Sequence, residues 1–319
     1  MQRRPLLGLG LACAAAVRAQ EPWPSRPIRL VVPFSAGSAT NIIARAVGDR
    51  LADELGKPLI YDYRAGAGGT LGTAQAARAE ADGYTLLAHS SAFTTAPALY
   101  ARLPYDTRQD LAGVTLLGVL PSVVVVPAAS PLRTLGDLVA AARARGGGFN
   151  FGTGGIGSGM HMNSEKFNAA AGIRAVHVPF KGSGEVMTEL AAGRLDYAVI
   201  SLTSALAFMK DGRVRALAVP MARRSALAPD LATTAELGVA GAEYVAWIGL
   251  LAPARTPRAV LERVQAATAR VVALPEVRSR LEQLGAEPQP ITPAAFDQQI
   301  ADEVRVNTAL ARAAGIPVQ

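Results

Sequence analysis

Three glycine-rich segments carry the residue pattern in this chain that is best suited to chemistry, and that chemistry is the binding of an anion. They are Ser35–Asn41, Gly66–Gly72 and Thr153–Gly159, and each lies between an apolar run and a helix-like run. At such a strand-to-helix junction, unpaired backbone N–H groups and the positive end of a helix dipole face the same point. A single glycine loop is usually only a tight turn. Three such junctions predict a shared cleft beyond the carboxyl ends of the strands.

Side chains suited to catalysis are sparse around these segments. The histidines are His89, His161 and His177, and Ser90 follows the first of them. No G-x-S-x-G elbow surrounds Ser90, so the spacing does not support serine catalysis by Ser90 and His161. His161 falls in the first turn of the helix predicted after the third segment, where it either faces the ligand or bonds to its own loop. The pattern therefore predicts a protein that holds an anion without transforming it.

The sequence supports neither a nucleotide site nor a metal site. Gly152–Gly157 matches G-x-G-x-x-G, but the acid that a dinucleotide site needs about 20 residues later is absent until Glu185. The chain has no G-x-x-x-x-G-K-[ST] loop, no H-x-x-x-H pair and one cysteine, so we predict no cofactor and no metal. Lys181 lies in a turn between a predicted strand and a predicted helix. It either offers a cation to the anion or is an exposed loop lysine.

The elements that must position these residues alternate between strands and helices. The predicted strands are Ile28–Phe34, Leu59–Tyr63, Tyr84–Ala88, Phe149–Phe151, Ala175–Pro179, Leu195–Ile200 and Ala216–Val219. The predicted helices are Ile42–Leu55, Thr73–Ala79, one between Thr134 and Gly146, Met160–Ala171, Val186–Ala191, Pro257–Ala273, Pro275–Leu284 and Pro293–Ala313. Capping oxygens and glycine stops mark the helix ends, with Thr40 or Asn41 as the N-cap of the first helix and Gly56 as its stop. The repeated strand–loop–helix order predicts parallel, doubly wound sheets.

The length of the chain and its apolar runs predict two lobes. At 319 residues, half of them apolar, the chain exceeds one ordinary core. Val123–Val126 and Val245–Ala252 are apolar runs that flank the second set of strands and helices, and we interpret them as the segments crossing between lobes. The predicted fold class is α/β, with a doubly wound sheet in each lobe and two connecting strands.

The first nineteen residues differ from the rest of the chain. Arg3 and Arg4 precede the apolar run Leu6–Val17, and Val17-Arg18-Ala19 places small residues at positions −3 and −1 of a cleavage site. This is the pattern of a secretory signal peptide, because a membrane span needs about 20 apolar residues. We predict export with cleavage near Ala19. A lipid anchor through Cys13 is the less supported alternative.

The composition of the predicted mature chain excludes several classes of protein. Removal of residues 1–19 lowers the net charge from +7 to +4 and removes the single cysteine, so no disulfide is predicted. The positive charges are scattered and aromatic residues make up 5% of the chain. Nucleic acid requires a basic stripe with stacking aromatic rings, so we predict no nucleic-acid partner. The weak positive charge suits an acidic small ligand and equally a solvated surface.

Seven short motifs, in order and at a characteristic spacing, make the chain similar to a known family. They are Trp23–Ile28, Val32–Phe34, Arg64–Gly69, Asp82–Leu87, Leu103–Asp106, His177–Gly182 and Gly249–Pro253. From about Trp23 to its C-terminus, the chain resembles the exported solute-binding proteins of tripartite tricarboxylate transporters, which are called TctC-like or Bug proteins.

The resemblance implies a two-lobed periplasmic binding protein fold of type II that closes on one small organic anion, a di- or tricarboxylate or an aromatic acid. It implies a first lobe of residues 20–123 and 244–319 and a second lobe of residues 124–243. It also implies that two loops of the first lobe hold a carboxylate through backbone N–H groups and bridging water, and that segments of the second lobe, with Ser90, form the opposite wall. The predicted ligand-binding residues are Ser35, Ala36, Gly37, Ser38, Ala39, Thr40, Asn41, Gly66, Ala67, Gly68, Gly69, Thr70, Ser90, Thr153, Gly154, Gly155, Ser158, His161, Lys181, Gly182, Ser183, Ile200 and Ser201.

The chain departs from the family pattern at positions expected in the pocket. Its first glycine loop ends in Thr40-Asn41 where members often have Thr-Asp, and Tyr63 replaces a frequent Asn. Ile200-Ser201 stands where members commonly carry Asp-Asn. Two acids are therefore missing, which removes partners for an ammonium group. We expect a carboxylate ligand without an amino group, and an apolar Ile200 would favour a ligand with a hydrophobic body.

The predicted function is the capture of a small organic anion by lobe closure, with membrane transporter subunits as partners and a monomer as the expected state. Two alternatives stay open, a ligand-sensing subunit of a signalling receptor and a hydrolase that uses Ser90 and His161. Because backbone amides do the binding, affinity should depend little on pH between about 6 and 8, where only histidines normally titrate.

Overall fold

The protein is described here by a computed structural model of residues 23–318, so the predicted signal peptide, its cleavage site and Cys13 lie outside the described residues. Its strands are β1 (Ile28–Val32), β2 (Leu59–Tyr63), β3 (Thr85–Ser90), β4 (Leu111–Leu120), β5 (Ser122–Pro127), β6 (Asn150–Thr153), β7 (Val176–Pro179), β8 (Ala198–Ser201), β9 (Val214–Ala218) and β10 (Ala246–Pro253). Its helices are α1 (Ala39–Leu55), α2 (Thr70–Ala77), α3 (Ala92–Leu99), α4 (Leu135–Ala144), α5 (Gly159–Ala171), α6 (Ser183–Ala191), α7 (Leu202–Lys210), α8 (Arg258–Ala273), α9 (Pro275–Gln283) and α10 (Pro293–Ala313).

The strands form two sheets with the same order of equivalent strands. The first sheet has the order β2-β1-β3-β10-β4, with β1, β2 and β3 parallel and β10 antiparallel to both of its neighbours. In the second half, β8-β5-β9 form one sheet and β6-β7 a parallel pair, joined by a parallel bridge between Phe151 and Tyr197. The resulting order is β7-β6-β8-β5-β9, again with the fourth strand antiparallel. The predicted α/β class and two-lobed plan are confirmed, with one antiparallel strand in each sheet that the sequence pattern did not predict.

The chain passes from the first sheet to the second at the break between β4 and β5, and it returns through residues 219–245 between β9 and β10. β4 ends at Leu120 in the first sheet and β5 begins at Ser122 in the second, with Pro121 between them. Proline has no N–H to donate to a ladder, which suits it to this break. Val123–Val126 are fully buried within β5, and Val245–Ala252 overlaps β10, which pairs with β3 and β4. The two apolar runs interpreted as crossings are therefore strands of one sheet each. The lobe boundaries themselves stay a prediction.

Helix α1 shows how local sequence orients a loop toward the cleft. The Ser38 hydroxyl accepts a hydrogen bond from the Asn41 N–H, so Ser38 is the N-cap and the helix begins one turn earlier than predicted. Gly56 ends the helix at a φ of 72°, as its position before Pro58 predicted. Buried Ile43, Val47, Leu51 and Leu55 then pack against the first sheet at helical spacing.

The lobes also touch through a small apolar cluster. Met162 of α5, which is fully buried, packs with Ala98 of α3, Tyr244 and Ala311 of α10. This contact places the start of α5 beside α3 of the other lobe. Within residues 23–318, none of the helices has both the length and the apolarity needed to cross a membrane.

Candidate functional site

A cavity of about 400 Å³ lies between the two lobes. The first lobe contributes residues from the second glycine loop, from the end of β3 and from one face of α3. The second lobe contributes the third glycine loop. The lining residues are Gly68, Ser90, Ser91, Ala92, Thr95, Ala96, Leu99, Tyr100 and Ala246 from the first lobe and Ile156, Gly157, Ser158 and Gly159 from the second. None of these side chains carries a charge, so an anion in this cavity would meet backbone N–H groups and hydroxyls.

The second glycine loop reaches the cavity through an unusual backbone. Gly66, Ala67, Gly68 and Gly69 all have positive φ, at 147°, 45°, 64° and 97°. Glycine adopts such angles without steric cost, whereas Ala67 does not. The segment forms a short 3-10 turn that runs directly into α2 at Thr70. Left-handed backbone of this kind is frequent at ligand sites, because the fold must hold it in place.

The third glycine loop is held by two histidines stacked beneath it. Ser158 caps α5 by accepting from the His161 N–H, and the Gly157 N–H donates to His161 Nδ1 over 3.0 Å. The ring of His161 stacks on that of His177 with 3.8 Å between centroids, and His177 Nε2 lies 2.6 Å from Thr153 Oγ1. Burial, and secondly the neighbouring His161 ring, lower the pKa of His177 to about 4. The ring of His161 therefore bonds to its own loop, and it does not line the cavity.

The end of β3 brings Ser90 to the cavity and His89 behind it. His89 is 1% exposed, its Nδ1 accepts from the Ser90 N–H over 2.8 Å, and its ring lies edge-on to Phe34 at 5.2 Å between centroids. Burial lowers the pKa of His89 to about 4. A neutral His89 thus fixes the backbone at Ser90. The same ring lies close to the second glycine loop, because a Cβ on Gly69 would come within 3.2 Å of His89 Nε2.

This burial predicts an acid-sensitive fold. His89 takes up a proton below its ordinary pKa of 6.5 in the unfolded chain but only below about 4 in the folded protein, so stability falls as pH drops through that window. Between pH 7 and pH 5, we expect the free energy of unfolding to fall by about 2 kcal/mol less in the His89→Gln variant than in the wild-type protein. Urea unfolding of wild type and variant at both pH values measures this. An equal loss in the two proteins would contradict the assignment.

None of the residues of the first glycine loop, Ser35–Asn41, lines this cavity. Gly37 has a φ of 95°, and Asn41 Oδ1 accepts from the Tyr63 hydroxyl over 2.9 Å. Arg45 donates to that hydroxyl over 3.3 Å. Two of the positions that depart from the family pattern, Asn41 and Tyr63, are therefore hydrogen-bonded to each other. The role of Ser35–Asn41 in binding stays a prediction.

The remaining predicted residues lie behind the third loop or in the core. Gly182 lies against Gly154, where a Cβ on Gly154 would come within 3.5 Å of its Cα, and the Lys181 N–H donates to Glu185 Oε2. The Ser183 hydroxyl is 3.2 Å from that of Ser204. Ile200 must be corrected: it is fully buried in the core of the second lobe, so its side chain cannot contact a ligand. Ser201, its neighbour, pairs with Ser122 at the end of β8.

The face of α3 is the part of the lining that sequence reasoning missed. Ala92, Thr95, Ala96 and Leu99 recur at helical spacing and all line the cavity. The signal was a Ser-Ser-Ala sequence at the end of β3, followed by small residues every three to four positions.

Within residues 23–318, Ser90 and His161 are not hydrogen-bonded to each other, and His161 Nε2 lies 3.6 Å from Glu165 Oε1. Among the described residues, the side-chain hydrogen bonds of Ser90 and His161 go to backbone groups of their own loops, to Ala92 and to Gly157. Residues 23–318 likewise contain no group of three or more His, Cys, Asp or Glu side chains placed to hold a metal ion.

Comparison with known proteins gives a consistent result. The family model of the tripartite tricarboxylate transporter family receptor matches residues 43–316. A protein encoded in the tcbD–tcbE intergenic region of Pseudomonas sp. strain P51 is 39% identical over 288 residues, which is 89% of this chain and 86% of that protein. Two solved structures from Rhodopseudomonas palustris are each 29% identical. MatC with bound malate has a TM-score of 0.70 and covers 90% of this chain and 99% of its own, and a protein with adipate has a TM-score of 0.73 and covers 93% and 100%.

Proposed function

Since the chain belongs to the tripartite tricarboxylate transporter receptor family, we propose that it captures a small organic carboxylate in the cavity between its lobes. The observation that carries the proposal is the lining of that cavity by glycine loops and helix starts from both lobes, without a charged side chain. Backbone N–H groups at helix N-termini suit a carboxylate. Structural neighbours with malate and adipate support the same class of ligand.

Capture proceeds by closure of the lobes on the anion. Gly68 and Ser90 of the first lobe and Ser158 of the second stand on opposite walls, so a bound carboxylate bridges the lobes and favours the closed arrangement. The closed complex is then delivered to membrane transporter subunits. The protein works as an exported monomer in the periplasm after cleavage near Ala19, and it binds its ligand without transforming it.

Native mass spectrometry of gently purified protein tests this function, followed by titration calorimetry with the acid that is released. We expect one small carboxylic acid per chain and a 1:1 binding curve. Release of a neutral or cationic ligand, or an absence of heat with any carboxylate, would contradict the proposal.

Carboxylate affinity should be nearly constant between pH 6 and pH 8. His89 and His177, with pKa values of about 4, stay neutral in this range, and the ligand's charge is balanced by backbone groups that do not titrate. Calorimetry at pH 6, 7 and 8 should give dissociation constants that agree within about threefold. A change of tenfold or more would contradict binding by backbone groups alone and show that a titrating side chain contributes, either in contact with the ligand or by holding a loop of the cavity wall.

A further inference from the structure

An exposed isoleucine stands in the middle of the third glycine loop. Ile156 is 55% exposed and lines the cavity, with Gly155 on one side and Gly157 on the other. Single exposed apolar side chains are common on protein surfaces, and what distinguishes Ile156 is its place on the cavity wall. A ligand bound in the cavity would cover this side chain and remove its apolar surface from water.

The opposite wall is apolar over most of its length. Ala92, Ala96 and Leu99 of α3 line it, with Ala246 beside them. A Cβ on Gly157 would lie only 3.0 Å from Leu99 Cδ1, so the segment that carries Ile156 abuts the end of α3. Apolar side chains therefore approach the cavity from both lobes.

The polar side chains of the lining lie at the ends of the apolar wall or are already hydrogen-bonded. Ser90 and Ser91 lie at the start of α3, Tyr100 with its hydroxyl directly follows the last residue of α3, and Ser158 lies at the start of α5. Thr95 is the one polar side chain in the middle of the α3 face, and its hydroxyl donates to the Ser91 carbonyl over 3.2 Å. A hydroxyl on the ligand body would lose its water and find an apolar wall in return.

We propose that Ile156 and Leu99 clamp the body of the ligand, and that the site selects carboxylic acids whose body is an unsubstituted hydrocarbon over their hydroxylated counterparts. The inference rests on the proposed function and narrows it to a substrate class. The sequence suggested that Ile200 favours a ligand with a hydrophobic body. Because Ile200 is fully buried, we assign this preference to Ile156 instead.

Matched acids that differ by one hydroxyl test the substrate class. Titration calorimetry would use succinate against malate, glutarate against 2-hydroxyglutarate, and 3-phenylpropanoate against 3-phenyllactate. In every pair of which a member binds, we expect the acid without the hydroxyl to bind at least about 10-fold tighter, within the roughly 100-fold limit of hydrophobic pockets. A preference below about 10-fold, or tighter binding of the hydroxylated acid, would overturn the inference and leave carboxylate capture standing. No binding in any pair would also overturn the inference, and carboxylate capture would then be decided by the acid that native mass spectrometry finds on the protein.

The variant Ile156→Asn tests the residue, with Ile60→Asn as its matched control. Ile60 is 56% exposed on β2 and does not line the cavity, so both changes replace an equally exposed isoleucine. We expect Ile156→Asn to reduce the preference for the acid without the hydroxyl by about 10-fold, and Ile60→Asn to leave it unchanged. Because both side chains are largely in solvent, neither change should prevent folding. An unchanged preference in Ile156→Asn, or an equal drop in the control, would overturn the role of Ile156.

Discussion

Replacing Gly157 with valine is expected to weaken carboxylate binding by about 10- to 100-fold. A Cβ at this position would lie 3.0 and 3.1 Å from the two Cδ atoms of Leu99, which belongs to the opposite lobe. With the lobes as close together as they are here, the added atoms therefore collide across the cleft. Overpacking of this kind costs about 1–3 kcal/mol, and the cost falls on the closed, ligand-bound state.

Gly193→Val provides the matched control for this prediction. Gly193 has the same φ of 73°, but no heavy atom lies within 4 Å of its Cβ position. Both variants should lose stability because a β-branched residue fits poorly at positive φ. Only Gly157→Val should lose affinity in titration calorimetry. The inter-lobe clash is refuted if the two variants bind the ligand equally well.

Replacing Trp247 with alanine is expected to lower the free energy of unfolding by about 3–5 kcal/mol. Trp247 is fully buried in β10 and packs edge-on against Phe296 with 5.0 Å between ring centroids. Its Nε1–H donates to Glu303, which also accepts from the Thr94 hydroxyl. Burial raises the pKa of Glu303, so the loss of a donor would leave this acid poorly compensated.

Trp247→Phe separates packing from hydrogen bonding at this position. Phenylalanine keeps most of the contact with Phe296 and removes the N–H, so we expect a loss of only about 1–2 kcal/mol. Urea unfolding at pH 7 measures both variants. A loss below about 1 kcal/mol in Trp247→Ala would show that the residue does not anchor the sheet beside the cavity.

The sequence predicted best those features that depend on neighbouring residues. Gly56 was predicted to stop the first helix, and it does so at a φ of 72°. A helix was predicted between Thr134 and Gly146, and Thr134 does cap α4, in a complete capping box with Asp137. These interactions span three or four residues, so short-range chemistry alone decides them.

Two helices, α3 and α7, were missed. Helix α3 contains Pro97 and the β-branched Thr94 and Thr95, which disfavour a helix in isolation. Tertiary packing compensates, since Phe93 and Thr94 are completely buried and α3 lies along α10. Helix α7 follows β8 without a side-chain cap. Such elements are stabilised by contacts that only the assembled fold provides.

The candidate site was predictable as a set of loops but not as an arrangement. The sequence located the glycine segments, and the structure brings Gly68 and Ser158 to one cavity. It could not reveal that the α3 face completes the wall, because α3 itself was missed. Ile200 was misplaced for a related reason. Its distance from the cavity is set by the pairing of β5 with β8, which joins residues far apart in the chain.

The position of β10 in the first sheet constrains how the molecule can be assembled during synthesis. β3 and β4 are made early, yet they are not adjacent, because the gap between them is filled by a strand from near the C-terminus. Until that late strand emerges, each presents an unpaired edge to its surroundings. The β5–β9 region, by contrast, is contiguous and can complete its ladders on its own. During synthesis, the sheet of the second lobe can therefore be completed as soon as its own strands are made. The sheet of the first lobe stays incomplete until β10, in the last third of the chain, has been made.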